Sequence, residues 1–280
     1  MARATTLRLG KRTYDISSRG LVMGICNRTP DSFFDHGEYF AFDRFLSHAE
    51  RAVEEGADIL DVGGVKAGPG PEVSTAEEME RVIPAVEALQ LRFDLPISVD
   101  TWSSPVAEAA YGAGAVLGND ISGFSDPEYL KVAAAAGASV VATHIRLAPR
   151  VADPEPRYAD LVKEVIAFLS ERVERARAAG LASDQIVVDA GLDLGKSPEQ
   201  SLELLRASGE LAAIGQPLLL SASNKAFLGA ALGLDVTERR NASLSAAAIG
   251  LARGCRIVRA HDVAGSVKVR DVLAAIGSAR

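Results

Sequence analysis

Ile59-Leu60-Asp61-Val62-Gly63, a helical stretch over 75–91, then Ile97-Ser98-Val99-Asp100: this strand–helix–strand unit decides the fold. The first run is nearly continuous in apolar residues, as are most of its counterparts along the chain, the pattern of strands covered on both faces. The stretch between them opens on Ser74-Thr75 ahead of Glu77-Glu78, a capping-box arrangement. The unit recurs. Apolar runs occupy 21–26, 59–63, 97–100, 116–121, 139–144, 186–189, 218–221 and 256–259, eight in all. Helical spacing fills 42–55, 158–179, 198–207, 241–253 and 266–276; within 158–179, Leu161, Val165, Phe168, Leu169 and Val173 share one face. Eight strand-like runs alternating with helical stretches predict an α/β fold, a single (β/α)8 TIM barrel. An open doubly wound sheet shares this periodicity, but the count of eight and the 280-residue length favour the barrel. Ahead of the first barrel strand, Thr6-Leu7-Arg8-Leu9, the turn Gly10-Lys11 and Arg12-Thr13-Tyr14 read as a short N-terminal hairpin. The stretch 147–157 reads as a loop, and nothing reads as a linker, so one domain over 1–280 is expected.

A chain of this size buries about three quarters of its unfolded surface, enough for a core without staples. Cys26 and Cys255 lie in apolar runs and are expected as buried thiols, with no CxxC pair to suggest zinc or a disulfide framework. The net charge of −7 gives no general attraction for nucleic acid or an anionic membrane. An anionic small substrate would have to meet a local cluster of Arg and Lys. No 18-residue apolar run suggests a transmembrane helix, and Met1-Ala2-Arg3 opens no secretory signal, so a cytoplasmic location is expected.

The strand ends carry the chemistry. In order they present Asn27; Asp61; Asp100; Asn119 and Asp120; His144; Asp189; Ser223, Asn224 and Lys225; then Arg259, His261 and Asp262. Singly, each could cap a turn. As a set they predict an active site at the C-terminal face of the barrel. Gly191–Ser197 looks like a phosphate-binding loop but is one residue short and places Asp193 in the anion cradle. His36 and His48 are expected at the surface.

Gly24-Ile25-Cys26-Asn27-Arg28-Thr29-Pro30-Asp31-Ser32-Phe33 resembles the G-I-x-N-V-T-P-D-S-F signature of dihydropteroate synthases. Gly56–Gly64, Ser98-Val99-Asp100-Thr101, Asn119-Asp120-Ile121, Gly195-Lys196-Ser197-Pro198-Glu199 and Arg259-Ala260-His261-Asp262-Val263 are similar to later family motifs, in order, over about residues 20–275. The resemblance implies a barrel, commonly a homodimer. It also implies a reaction: a dihydropterin bearing a CH2-pyrophosphate is joined to p-aminobenzoate, and Mg²⁺ helps pyrophosphate leave. It places Asp100, Asn119, Asp189 and Lys225 around the pterin, with Arg259 stacking on it and facing the pyrophosphate. Asn27 and His261 would serve the Mg²⁺-pyrophosphate end, and Asp31 the first loop, which shapes the p-aminobenzoate site. Asp31, Lys225 and Arg259 would be the catalytic residues, and Asn27 the metal ligand.

The departures cluster. Where the family reads E-S-T-R-P-G after the second strand, this chain has Val65-Lys66-Ala67-Gly68-Pro69-Gly70. Asn224 stands where the family has arginine in S-R-K, and Leu194 where it has phenylalanine; Asp193 adds a negative charge near the second substrate's carboxylate. This looks like a divergent actinobacterial second copy of the synthase. The pterin floor is expected to be intact, and the condensation weak or lost. The alternatives are an active synthase with substituted loops, in which Lys66, Arg28 or Arg146 replaces the missing charge, and a pterin-dependent transferase with another acceptor.

Overall fold

The computed structural model describes residues 4–29 and 42–279. Strands β1 (Thr6–Leu9) and β2 (Arg12–Asp15) form an antiparallel hairpin. Then follow β3 (Leu21–Ile25), β4 (Ile59–Gly63), β5 (Ile97–Asp100), β6 (Leu117–Asp120), β7 (Ser139–Thr143), β8 (Ile186–Asp189), β9 (Leu218–Leu220) and β10 (Ile257–Ala260). These eight are parallel and close in the order β10-β3-β4-β5-β6-β7-β8-β9, so the barrel expectation holds and the open sheet is excluded. Around it run α1 (Phe42–Glu54), α2 (Thr75–Arg92), α3 (Ser104–Gly112), α4 (Tyr129–Ala136) and α5 (Leu161–Ala178). They are followed by α6 (Pro198–Arg206), α7 (Ser208–Ala212), α8 (Ala226–Leu232), α9 (Arg240–Arg253) and α10 (Val263–Ser278).

The strands are buried on both faces, yet a period of two runs through them. Val22, Leu60, Val62, Ile97 and Val99 pack outward against helix residues such as Phe45, Val82 and Leu89. Val140, Ala142, Ile186 and Val188 do the same against Val165 and Leu169 of α5. The alternate positions Met23, Ile59, Leu117, Val141, Val187, Leu219 and Ile257 fill the barrel with apolar side chains. Leu7 and Leu9 of the hairpin join that same cluster, so the hairpin plugs the N-terminal mouth. Two residues further along, the inward positions turn polar: Asp61, Asn119, Asp189 and Arg259 follow Ile59, Leu117, Val187 and Ile257. The apolar layer below is therefore the floor on which the polar layer stands.

Helix ends follow local capping more closely than hydrophobic spacing suggests. Helix α5 starts at Leu161 because the Asp160 carboxylate accepts the Lys163 N–H at 3.2 Å; Tyr158 is turned away and donates to the Gly195 carbonyl at 2.7 Å. Helix α10 begins at Val263, before the expected 266, because Asp262 accepts the Gly265 N–H at 3.0 Å. Helices α3, α4, α7 and α8 carry no clear amphipathic signal; α4 is Tyr-Leu-Lys-Val-Ala-Ala-Ala-Ala and owes its place to packing. Cys26 and Cys255 are buried, and burial lifts both thiols to about 12, which makes them inert. No helix among the described residues is long and apolar enough to cross a membrane.

Because Leu7 is wholly buried under the inner layer, Leu7→Ala should lower unfolding free energy by about 2–5 kcal/mol. Urea unfolding followed by far-UV circular dichroism tests this, with native helix content retained before the transition.

Candidate active site

A buried ion triad organises the C-terminal mouth. Arg259, on β10, donates from Nε to Asp61 Oδ2 at 2.6 Å and from Nη2 to Asp100 Oδ2 at 2.7 Å. The Asp61 side chain is fully buried, and Arg259 is only 14% exposed. Asn119 donates from Nδ2 to the same Asp61 oxygen at 3.3 Å. Burial opposes the Arg259 charge, but Asp61 and Asp100 outweigh it and hold the guanidinium more firmly protonated than usual. Asp61 is the one central residue that the sequence reading left without a role. Its motif is visible within β4; its partner, 198 positions away, is not.

Asp189 lies across the mouth. Its Oδ1 accepts the Gly191 N–H at 2.8 Å. That turn demands glycine: φ is +65° at Gly191, and a Cβ there would stand 1.9 Å from the His144 carbonyl oxygen. Lys225 donates to the Leu192 carbonyl at 2.5 Å; burial lowers its pKa, and Asp189 and Asp193 pull it back up. Burial raises the Asp189 pKa, with Lys225 opposing. Asp100 is pushed up to about 7 by burial, against the pull of Arg259. The mouth thus holds three carboxylates, Asp61, Asp100 and Asp189, against two cations, Arg259 and Lys225. Asp61 Oδ1 is buried with no hydrogen-bond partner among the described residues. An acceptor-rich, partly unsatisfied floor suits a neutral ligand carrying several N–H donors.

Asn27 and His261 stand on the β3 and β10 side of this mouth. The ring Nδ1 of His261 lies 3.0 Å from Ser223 Oγ, which also accepts the His261 backbone N–H at 3.1 Å. Burial, aided by Arg259, lowers the imidazole to about 3, so His261 acts as a neutral hydrogen-bonding group. Asn27 Oδ1 is buried without a partner among the described residues, and a Cβ on Gly63 would stand 2.9 Å from it. Such a carbonyl oxygen is a hard donor that fits Mg²⁺. No group of three or more His, Cys, Asp or Glu among the described residues could hold a metal, so anionic oxygens of a ligand and water would have to complete the shell. Asp31 and His36 lie outside the described residues. His48 is half-buried rather than at the surface, its Nε2 2.8 Å from the Ile25 carbonyl oxygen, because α1 lies against β3.

The altered β4 loop is stitched to the β7 loop. Arg150 donates to the carbonyls of Lys66, at 3.2 Å, and Pro71, tying the β4 loop to the β7 loop. Arg146 donates from Nε and Nη2 to the two oxygens of Asp153. Arg28 donates to the Arg81 carbonyl at 2.8 Å and stacks over Phe42 at 4.9 Å. Arg146 and Arg28, two of the three residues weighed as substitutes for the lost charge, are therefore engaged in holding structure. Asn224 has φ 57°, which asparagine tolerates, and its amide oxygen faces Ser243 Oγ at 3.4 Å. Lys196 is buried and reaches His144 Nδ1 at 2.8 Å and the Leu194 carbonyl at 2.9 Å. A phosphate-binding lysine would project into the loop instead.

A family model described as pterin binding enzyme matches residues 23–261. The chain belongs to this family. A Mycobacterium leprae protein named inactive dihydropteroate synthase 2 is 43% identical, over 94% of this chain and 93% of its own. A Synechocystis dihydropteroate synthase is 40% identical over 96% of this chain and 94% of its own. The crystal structure of Yersinia pestis dihydropteroate synthase with a sulfonamide drug superposes with a TM-score of 0.94 at 38% identity, covering 98% of this chain and all of that one. The chain is thus a divergent member among the dihydropteroate synthases, with relatives of both kinds.

Asp100 gives the site a pH signature. Its folded-state pKa of about 7 exceeds the ordinary 3.8, so between about 4 and 7 the folded chain keeps a proton that the unfolded chain loses. The Asp100 contribution to stability therefore falls as pH rises through that window and is level above it. Denaturant titrations of wild type and Asp100→Asn from pH 4 to 8 should show wild type losing ground across the window. A constant difference would contradict the assignment.

Proposed function

We propose that this chain, a single pterin-binding domain over 1–280, holds a dihydropterin pyrophosphate at the barrel mouth and condenses it with p-aminobenzoate slowly or not at all. The observation that carries the first half is the excess of buried acceptors over cations on the floor. Asp100, Asn119 and Asp189 would take the donor edge of the pterin, and Lys225 would supply a donor to its acceptor edge. Arg259, pinned flat by Asp61 and Asp100, would stack on the ring and face the pyrophosphate. His261 would contribute a neutral hydrogen bond there. Asn27 would hold Mg²⁺, which when bound supplies positive charge to the leaving pyrophosphate. Asp31, in the first loop, would shape access to the second substrate.

The second half rests on what surrounds the floor. Gly68, Asn224 and Leu194 replace two arginines and an aromatic, and the nearby Arg146 and Arg28 are bound to their own chain. Removing one donor that stabilises developing charge commonly costs about 10²–10³ in rate. The mycobacterial relative that carries the word inactive in its name supports the same reading. A cytoplasmic homodimer is part of the proposal, by likeness to the family.

Calorimetric titration with 6-hydroxymethyl-dihydropterin pyrophosphate, with and without Mg²⁺, should give sub-millimolar binding. Asp189→Ala should weaken it by about 1–3 kcal/mol, the cost of a lost buried partner. In a turnover assay, dihydropteroate formation should lie far below that of an ordinary family member, and sulfonamides should bind poorly. Absence of pterin binding would reduce the floor to ancestry; ordinary turnover would overturn the second half.

A further inference from the structure

Beside the floor, the loops after β4, β7 and β8 line an open-sided cavity of about 330 Å³. That is at the small end for ligand pockets and enough for a substituted ring. Much of its wall is aliphatic, with Ala67, Pro69, Ile145, Val151 and Leu194 among the lining residues. Arg150, Asp153, Asp193 and Lys196 also reach it, and each is partnered by its own chain. Arg150 serves two carbonyls, and Asp153 binds Arg146 through both oxygens. Lys196 serves His144 and the Leu194 carbonyl.

Asp193 is the residue that sets the character of this space. Its φ of 66° is a conformation that Asp and Asn accept and most side chains resist. So placed, its Oδ2 accepts the Phe227 N–H at 3.3 Å in the first turn of α8, and its Oδ1 faces Ser201 Oγ at 3.4 Å. It also attracts both Lys196 and Lys225. The carboxylate was expected to repel an incoming anion; it also occupies donors and balances cations that an anion would use.

We propose that this cavity takes an uncharged organic ring of about substituted-benzene size, bearing no carboxylate, and that Asp193 sets this preference by standing as the resident anion. The proposal deepens the reading above by naming the class of the second substrate, and it rests on that reading for the reaction but not for binding.

The test uses two probes of one shape and different charge, 4-aminobenzamide and 4-aminobenzoate, titrated calorimetrically into the full chain at pH 7.5. The amide should bind wild type about tenfold or more tightly than the acid, since like charges across an interface are costly. Asp193→Asn keeps the left-handed backbone and removes the charge; it should raise acid affinity about tenfold and leave the amide nearly unchanged. Leu194→Trp should fill the space and abolish amide binding whether or not Asp193→Asn folds. Equal affinities in wild type, a parallel shift of both probes in Asp193→Asn, or no binding of either would overturn the proposal. A pterin titration on the same samples separates the two readings: pterin bound without probe sinks only the cavity, and probe bound without pterin sinks only the floor.

Discussion

The guanidinium of Arg259, held between Asp61 and Asp100 inside a closed barrel, is the constraint on which the rest of the mouth depends. Three charges removed from water are costly, and breaking such a set by deleting one partner leaves an uncompensated buried charge. The triad is therefore weak as a source of stability and strong as a source of geometry. It joins the ends of β4, β5 and β10, and Asn119 extends it to β6. Closure of the barrel is what brings β10 beside β3 and one strand from β4. Without that ring the acid and base ends of the triad would have no common interior.

The floor works because an apolar layer supports it. Met23, Ile59, Leu117, Val141, Val187, Leu219 and Ile257 fill the barrel below, and the hairpin leucines seal its lower mouth. Apolar side chains back the polar layer on its lower side, so it faces the C-terminal mouth. Under these conditions surplus carboxylate is uncomfortable, and burial raises the pKa values of Asp100 and Asp189. A neutral heterocycle rich in N–H groups relieves that discomfort without adding charge.

The loops have followed a different course from the floor. Arg150 and Arg146 carry the charge that an anion site would need; Arg150 ties the β4 loop to the β7 loop, and Arg146 is paired with Asp153 inside the β7 loop. Asp193 and Lys196 are likewise satisfied from within. A site whose cations are already bonded to their own chain gains little from an incoming carboxylate, because each new contact displaces an old one. The floor is built from inward residues of the strands, whereas these pairings lie in the loops that follow β4, β7 and β8.

Local sequence determined the units. Eight apolar runs with helices between them favour a barrel over an open sheet, and the alternation Ile59 to Asp61, Leu117 to Asn119, Val187 to Asp189 and Ile257 to Arg259 puts polar groups at one end once the sheet closes. The signature from Gly24 onward resembles that of a pterin-binding family, and Gly68, Asn224 and Leu194 stand where the sequence differs from that family's motifs. Pairing was another matter. That Arg259 chooses Asp61, that Lys196 turns inward to His144, and that Arg146 is spent on Asp153 are outcomes of closure and loop packing. The short α4 and α8 also escaped the periodicity, since alanine-rich segments carry little contrast between faces. A side chain's type can be read from its position in the chain. Whether its charge remains available depends on which distant residue the fold sets beside it, and here only tertiary structure decided that.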